Sequence, residues 1–386
     1  MGDTVRPRDA AEVRDCVAQA SADSLRLAVR GGGSKTGLGA TEDGARILDM
    51  RGIAGIVDYD PAELVLTVRP GTPLAEVTAL LEGSGQMLAF EPWDHGELFG
   101  QPTGEATIGG VVAAGVSGSG RLSGGAARDH LLGFRAVSGR AQEFVGGGKV
   151  VKNVTGYDLP KLMAGSWGRL AVLTELTLKV LPRPRATDTR VLRGLSAERA
   201  VAAMALAMGS RAEVAAAAHL PGGTAAADAL TLFRVQGFGP SVAARCAMLD
   251  ELLSGFGRVE PTAPEEADGL WAGLRTLSAL GDAPLWRVAV PPRAGAGVAA
   301  AVQAAGGLWL MDWAGGLLWA TLDGNDEVVR EAAERAGGHA TLVRAPEAAR
   351  KAVPAFHPQP AALAALEERV RRAFDPHGVF ETGRFR

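Results

Sequence analysis

Residues 29–40 read VRGGGSKTGLGA, five glycines in twelve positions with one lysine among them. The preceding LRLAVR (25–30) alternates apolar positions as a short strand does, so the glycines follow a strand directly. Small residues placed there let successive backbone N–H groups converge on an anion, and Lys35 can add positive charge. The spacing excludes two other phosphate loops. GGGSKTG lacks the G-x-x-x-x-G-K-[ST] order, and no G-x-G-x-x-G opens an evident helix. Taken alone, the stretch is either an anion nest or an ordinary glycine-rich turn.

A second stretch bears on that choice. ATIGGVVAAGVSGSG (106–120) holds almost nothing larger than valine. It could be a tightly packed helix start, but two such loops in one half of a chain favour close approach by something flat or anionic. Elsewhere the pattern is regular. A helix is expected over 8–20, strands over 45–50, 55–60 and 64–70, and a helix from 72 with Thr72 as its N-cap, Pro73 first and Gly83 as its stop. A hairpin turns at Ser138-Gly139, and RLAVLTELTLKVLP (169–182) alternates as a long strand.

LPRPRATDTR (181–190) has prolines, charges and no periodicity, and is read as a domain boundary. Two rounds of helix–strand–strand–helix follow: helix 196–209, strands 213–219 and 229–236, helix 240–255; then strand 286–290, helix 294–305, strands 308–312 and 317–322, helix 325–336 and strand 339–344. That order predicts helices on one face of an antiparallel sheet, an α+β arrangement. A last helix spans 360–374.

The paired loops resemble the diphosphate-cradling loops of the vanillyl-alcohol-oxidase, or FAD-linked oxidase, superfamily. The likeness continues through ARDHLLGFRAVSG, GGGKVVKNVTGYDLPKLMAGSWG and LTELTLKVLPRP, and resumes at RVRRAFDPHGVFETGRF (369–385). Within the superfamily it is most similar to the smaller FAD-binding E subunits of bacterial glycolate oxidases, through KNVTGYDLPKL followed by GSWG. The resemblance implies a two-subdomain PCMH-type FAD-binding domain over 1–184, an α+β cap domain over 185–358, and a tail over 359–386 that returns toward the first domain. It puts Arg30, Gly31, Gly32, Gly33, Ser34 and Lys35 around the diphosphate, with Thr107, Ile108, Gly109 and Gly110 on the second loop. Ala113, Ser117 and Gly118 would continue along the cofactor, and Gly165, Ser166, Gly168 and Val172 would meet its adenosine or flavin end. Many members of the family tether the flavin covalently through a histidine in the first loop. Ser34 stands there in this chain, which implies dissociable FAD. Trp167, Arg169, Ala171 and Glu381 also depart from commoner family residues.

Oxidation of a 2-hydroxy acid needs a hydride acceptor, a base for the hydroxyl proton and a cation for the carboxylate. His219, at the end of an expected strand, is the general-base candidate; Arg234 and Arg287, on expected strands, are the carboxylate candidates. For each, a structural role is the competing reading. The six histidines show no metal-ligand spacing, so no metal is expected. Cys16 and Cys246 alone cannot ligate an iron–sulfur cluster, so electrons would leave through another protein, a quinone or oxygen. The resemblance implies a larger FAD-linked catalytic subunit and an iron–sulfur subunit as partners. A formal net charge of −3 argues against a nucleic-acid footprint. No run of eighteen apolar residues and no apolar leader segment occur, so a cytoplasmic protein is expected, meeting a membrane only through partners. A self-sufficient FAD-dependent oxidase of another alcohol, and a non-catalytic flavin-binding scaffold, stand as alternatives.

Overall fold

The computed structural model describes residues 3–42, 44–149, 156–224, 226–324 and 326–385. The part of KVVKNVTG from Val150 to Thr155 lies outside them. The chain divides into two compact units: Met1–Ser117 with Gly125–Arg183 and Pro358–Arg386, and Gly118–Gly124 with Pro184–His357.

In the first unit, strand Leu27–Arg30 runs parallel to Arg46–Asp49, which also pairs with Thr4–Val5. Helix Ala10–Ala22 starts where Asp9 accepts a hydrogen bond from Glu12 N. Its period places Val13, Val17 and Ala20 on one buried stripe, packed with Leu27, Leu48, Val379 and Phe380. The tail residues reach that core because Asp375 accepts from Val379 N at 2.9 Å and Phe380 N at 2.8 Å. Beside this layer lies an antiparallel sheet in the order Ile56–Asp60, Val65–Val68, Ala171–Lys179, Leu131–Ser138, Glu143–Gly147. Leu66, Phe134, Leu176 and Leu178 on that sheet pack with Val77, Leu81, Ile108 and Val111 from two helices. Thr72 does not cap the helix Leu74–Gly83. Its hydroxyl donates to Arg69 O and accepts from Gly55 N, so it closes the preceding turn, and Pro73 occupies the cap position.

The second unit is built on an eight-stranded antiparallel sheet: Val259–Pro261, Ala186–Arg193, Leu230–Gly237, Ala216–Leu220, Leu308–Asp312, Leu317–Thr321, Leu285–Ala289, His339–Arg344. Helices Ala197–Met208, Gly239–Leu252, Gly295–Ala304 and Asp326–Arg335 supply Met204, Cys246, Val302 and Val329 to one core with Ala217, Phe233, Val288, Met311 and Leu318 of the sheet. Each large apolar side chain buried there contributes about 1.5–3 kcal/mol. The fold is α+β. Elements not foreseen include ATDTRVLR, a strand rather than a linker, the edge strand Val259–Pro261, and helices Pro264–Thr276 and Glu347–Ala352.

Candidate functional site

The two glycine loops of the first unit meet. A β-carbon on Gly31 would stand 2.1 Å from Thr107 Oγ1, and one on Gly32 would stand 1.4 Å from Glu105 O, so only glycine permits this approach. Thr107 precedes helix Ile108–Ala114 and accepts from Gly110 N at 3.3 Å. Gly109 N donates to Pro70 O at 2.9 Å, and a side chain on Gly109 would strike Pro70. A third segment docks at the other end of that helix: Gly165 N donates to Val112 O at 3.0 Å and Trp167 N to Ala113 O at 2.8 Å. Gly165, Trp167 and Gly168 all have positive φ, which explains both glycines of the segment and marks Trp167 as strained.

These segments enclose a cleft of about 800 Å³, its open mouth included. It is lined by Arg30, Gly31, Gly32, Gly33, Ser34, Lys35, Thr107, Gly109, Gly110, Ala113, Ser166 and Gly168, twelve residues that the sequence pointed to. The remaining five do not line it. Ile108 is fully buried in the core because the helix turns it away from the loop. Val172 is fully buried on the far side of its strand, and the two-residue period puts Ala171 and Leu173 on the cleft instead. Gly165 supports Trp167 from behind, Ser117 Oγ accepts from Ala127 N at 3.2 Å, and Gly118 belongs to the second unit. The sequence reading missed Arg384. Its guanidinium donates to Leu38 O at 2.8 Å and to Lys35 O, and stands over the rings of Trp167 and Phe385. The signal was the pair of arginines flanking Phe385 in a tail already suspected of returning.

Among the described residues the lining carries Arg30, Lys35 and Arg384 and no carboxylate. Lys35 is 8% exposed, and its ammonium has one hydrogen bond, to Ser34 Oγ at 3.3 Å. Burial pushes its pKa down to about 8. Arg30 keeps its Nε buried and unpartnered, but its Nη2 donates to Glu42 Oε2 at 2.7 Å, so Lys35 is the less compensated of the two cations. A buried, under-compensated cation facing backbone N–H groups fits a diphosphate, whose oxygens would take these donors in charge-assisted bonds.

In the second unit, register separates the three catalytic candidates. His219 pairs with Thr231 and Met311, on the helix-covered face with Ala217 and Phe233. Arg234 pairs with Ala216, and Arg287 with Trp319, on the opposite face. The expectation that His219 and the arginines serve one substrate therefore fails, because cross-strand register puts them on opposite faces of one sheet. Arg234 is buried with its guanidinium 4.8 Å from the centroid of Trp271. Arg287 lies 5.0 Å from the centroid of Trp313, and Arg121 lies 4.3 Å from the same ring. Arg287 makes no hydrogen bond or ion pair among the described residues, and its pKa is pushed down to about 10 by burial and then by Arg121. Asp312 is already engaged, accepting from Ser119 Oγ and Trp313 N, each at 2.7 Å. His339 pairs with Ala289 and so shares the face of Arg287. Burial, followed by Arg287, His357 and Arg121, holds its pKa below the ordinary histidine value. Among the described residues no group of three or more His, Cys, Asp or Glu could hold a metal ion, and no helix is long and apolar enough to cross a membrane.

Comparison with known proteins gives these features a context. The FAD binding domain family matches residues 4–144. The glycolate oxidase subunit GlcE of Escherichia coli (strain K12) is 38% identical over 374 residues, 95% of this chain and 95% of that protein. The glycolate oxidase subunit GlcD of Bacillus subtilis (strain 168) is 28% identical over 48% of this chain and 38% of its own length. The crystal structure of p-cresol methylhydroxylase with substrate bound superposes with a TM-score of 0.73 at 15% identity, covering 99% of this chain and 88% of that one, a likeness of fold.

Proposed function

This chain belongs to the family of the glycolate oxidase subunit GlcE, within the FAD-linked oxidases, and on that premise we propose that it is the FAD-carrying subunit of a complex that oxidises a 2-hydroxy acid, glycolate or D-lactate. The observation that carries the reading is the buried Lys35 ammonium in a cleft of glycine backbone and without a carboxylate. There Lys35 would offset the diphosphate charge, and the N–H groups of Gly31–Ser34 would orient it. Arg384 closes the loop from outside by holding Lys35 O and Leu38 O. Ser34 offers no imidazole for a covalent tether, so the cofactor is held by these contacts alone.

Bound FAD supplies the two-electron acceptor for the hydrogen on the substrate's α-carbon. The chain's own part is charge and proton handling. Arg287, which makes no hydrogen bond or ion pair among the described residues although Asp312 is near enough to act on its charge, suits the substrate carboxylate, and Arg121 beside the same indole adds to the field. His339, kept neutral near pH 7 by its surroundings, can take the hydroxyl proton as the 2-oxo acid forms. A larger FAD-linked subunit and an iron–sulfur subunit would take the electrons onward, in a cytoplasmic complex that would reach a membrane through those partners.

A second reading, a flavin-binding scaffold that supports a catalytic sister subunit, is favoured by one observation: His219 lies on the wrong face to act with Arg287. Anaerobic addition of glycolate or D-lactate to the isolated FAD-loaded chain separates the two. Bleaching of the flavin band supports turnover here. Bleaching seen only in the assembled complex supports the scaffold, and a colourless chain that takes up no FAD contradicts both.

A further inference from the structure

The second unit contains a cavity that the proposed chemistry leaves unused. It encloses about 590 Å³, its mouth included, on the helix-covered side of the eight-stranded sheet. Helix Gly295–Ala304 contributes Ala296, Ala300 and Gln303 to its wall, and Glu198 stands at the start of helix Ala197–Met208. His219 and Trp309 come from adjacent strands, their rings 5.8 Å apart and 29° from parallel.

His219 is 1% exposed, and its one hydrogen bond joins Nδ1 to Thr231 Oγ1 at 2.9 Å. Thr231 is fully buried, and its hydroxyl has no other hydrogen-bond partner, side chain or backbone, among the described residues. The hydroxyl proton therefore has a single acceptor, Nδ1, and an accepting Nδ1 puts the ring proton on Nε2. Nε2–H is then the polar group that His219 presents to the cavity. Burial lowers the imidazole pKa to about 4, so this donor carries no charge near pH 7. Trp309 Nε1 can only donate, and it donates to Gln303 Oε1 at 3.4 Å, which fixes the amide and leaves its NH₂ as a second donor. Among the described residues Glu198 supplies the only charge on the lining, and it is held ionised by its own backbone N–H and Ser196. Two neutral donors beside an indole plane, with a carboxylate nearby, suit an uncharged acceptor and disfavour an anion.

We propose that this cavity binds a small, flat, uncharged carbonyl compound, with His219 Nε2 and Gln303 Nε2 donating to its oxygen and Trp309 lying along its body. The test uses the full FAD-loaded chain, benzamide as the probe and benzoate as its anionic counterpart, read by saturation-transfer NMR near pH 7. Benzamide is expected to show transfer and benzoate little. Gln303→Ala and Ala300→Leu, both at exposed rim positions, should each weaken benzamide transfer about tenfold while leaving the flavin spectrum unchanged. His219→Phe should do the same, and the two rim variants keep the test valid should it fold poorly. Nitrogen-15 spectra of the histidine-labelled chain should show His219 protonated at Nε2. No transfer to benzamide, equal or stronger transfer to benzoate, unchanged transfer in both rim variants, or a His219 protonated at Nδ1 would each overturn the proposal.

Discussion

A β-carbon on Gly32 would stand 1.4 Å from the carbonyl oxygen of Glu105, closer than any non-bonded contact allows. Backbone meets backbone at this point, so neither side can yield by rotating a side chain. Gly32→Ala should cost about 2–3 kcal/mol of stability by forcing the loops apart. Thermal or urea unfolding of the apo protein measures it.

Gly110 gives the contrasting result. A methyl group there would meet only Thr107 Oγ1 at 3.3 Å, on a helix where alanine is favoured over glycine. Gly110 nonetheless lines the cleft. Gly110→Ala should unfold at least as late as the wild type yet bind FAD more weakly, which a parallel melt and titration would reveal.

Lys35 makes FAD binding pH-dependent. Its pKa of about 8 in the apo fold must rise when a diphosphate approaches, so binding takes up a proton above that pH. Affinity for FAD should be flat below about pH 7 and fall by up to about tenfold per pH unit above pH 8, until the raised pKa is passed. The apo protein should show the opposite trend in this group's contribution to stability. The unfolded chain holds the proton up to the ordinary lysine pKa of 10.5, so that contribution improves as pH climbs from about 8 toward 10.5. Lys35→Met should abolish both dependences in calorimetric titrations.

Arg287 and His339 predict a split in kinetics for whichever assembly turns over. Arg287→Ala should raise KM for a 2-hydroxy acid about thirtyfold, the equivalent of about 2 kcal/mol for a lost charge-assisted contact, with FAD affinity unchanged. His339→Gln should lower kcat about a hundredfold. In the wild type, activity should fall as pH drops through a His339 pKa below 6.5, and the variant should lose that acid limb.

Ser34 predicts a cofactor that leaves. Acid precipitation should put the flavin in the supernatant, where absorbance quantifies it; flavin retained on the polypeptide would contradict the non-covalent assignment.

Much of this was legible in residue pattern, and the gaps have physical causes. Strand and helix periods located both rounds of the second unit, because its apolar faces are long and its turns carry glycine. ATDTRVLR looked like a linker because Asp188 and Arg190 interrupt the alternation. Yet the segment pairs along its whole length with Leu230–Gly237, and Arg190 finds Asp250 at 3.3 Å. Thr72 looked like a helix cap because its neighbour is proline, but its hydroxyl serves the turn behind it. The face of a strand residue is a property of its partners. Alternation placed His219 on a strand, and only its register opposite Thr231 and Met311 separated it from Arg287. Arg384 was invisible for a similar reason: nothing local says that a tail residue will hold Lys35 O.

The most direct test of the central claim is an equilibrium titration of the apo protein with FAD at pH 7, followed by flavin fluorescence, in the wild type and Lys35→Met. The account predicts saturable binding of one FAD per chain, with Lys35→Met weaker by about 2 kcal/mol, or about thirtyfold. Absence of saturable binding, or equal affinity in the two proteins, would contradict it.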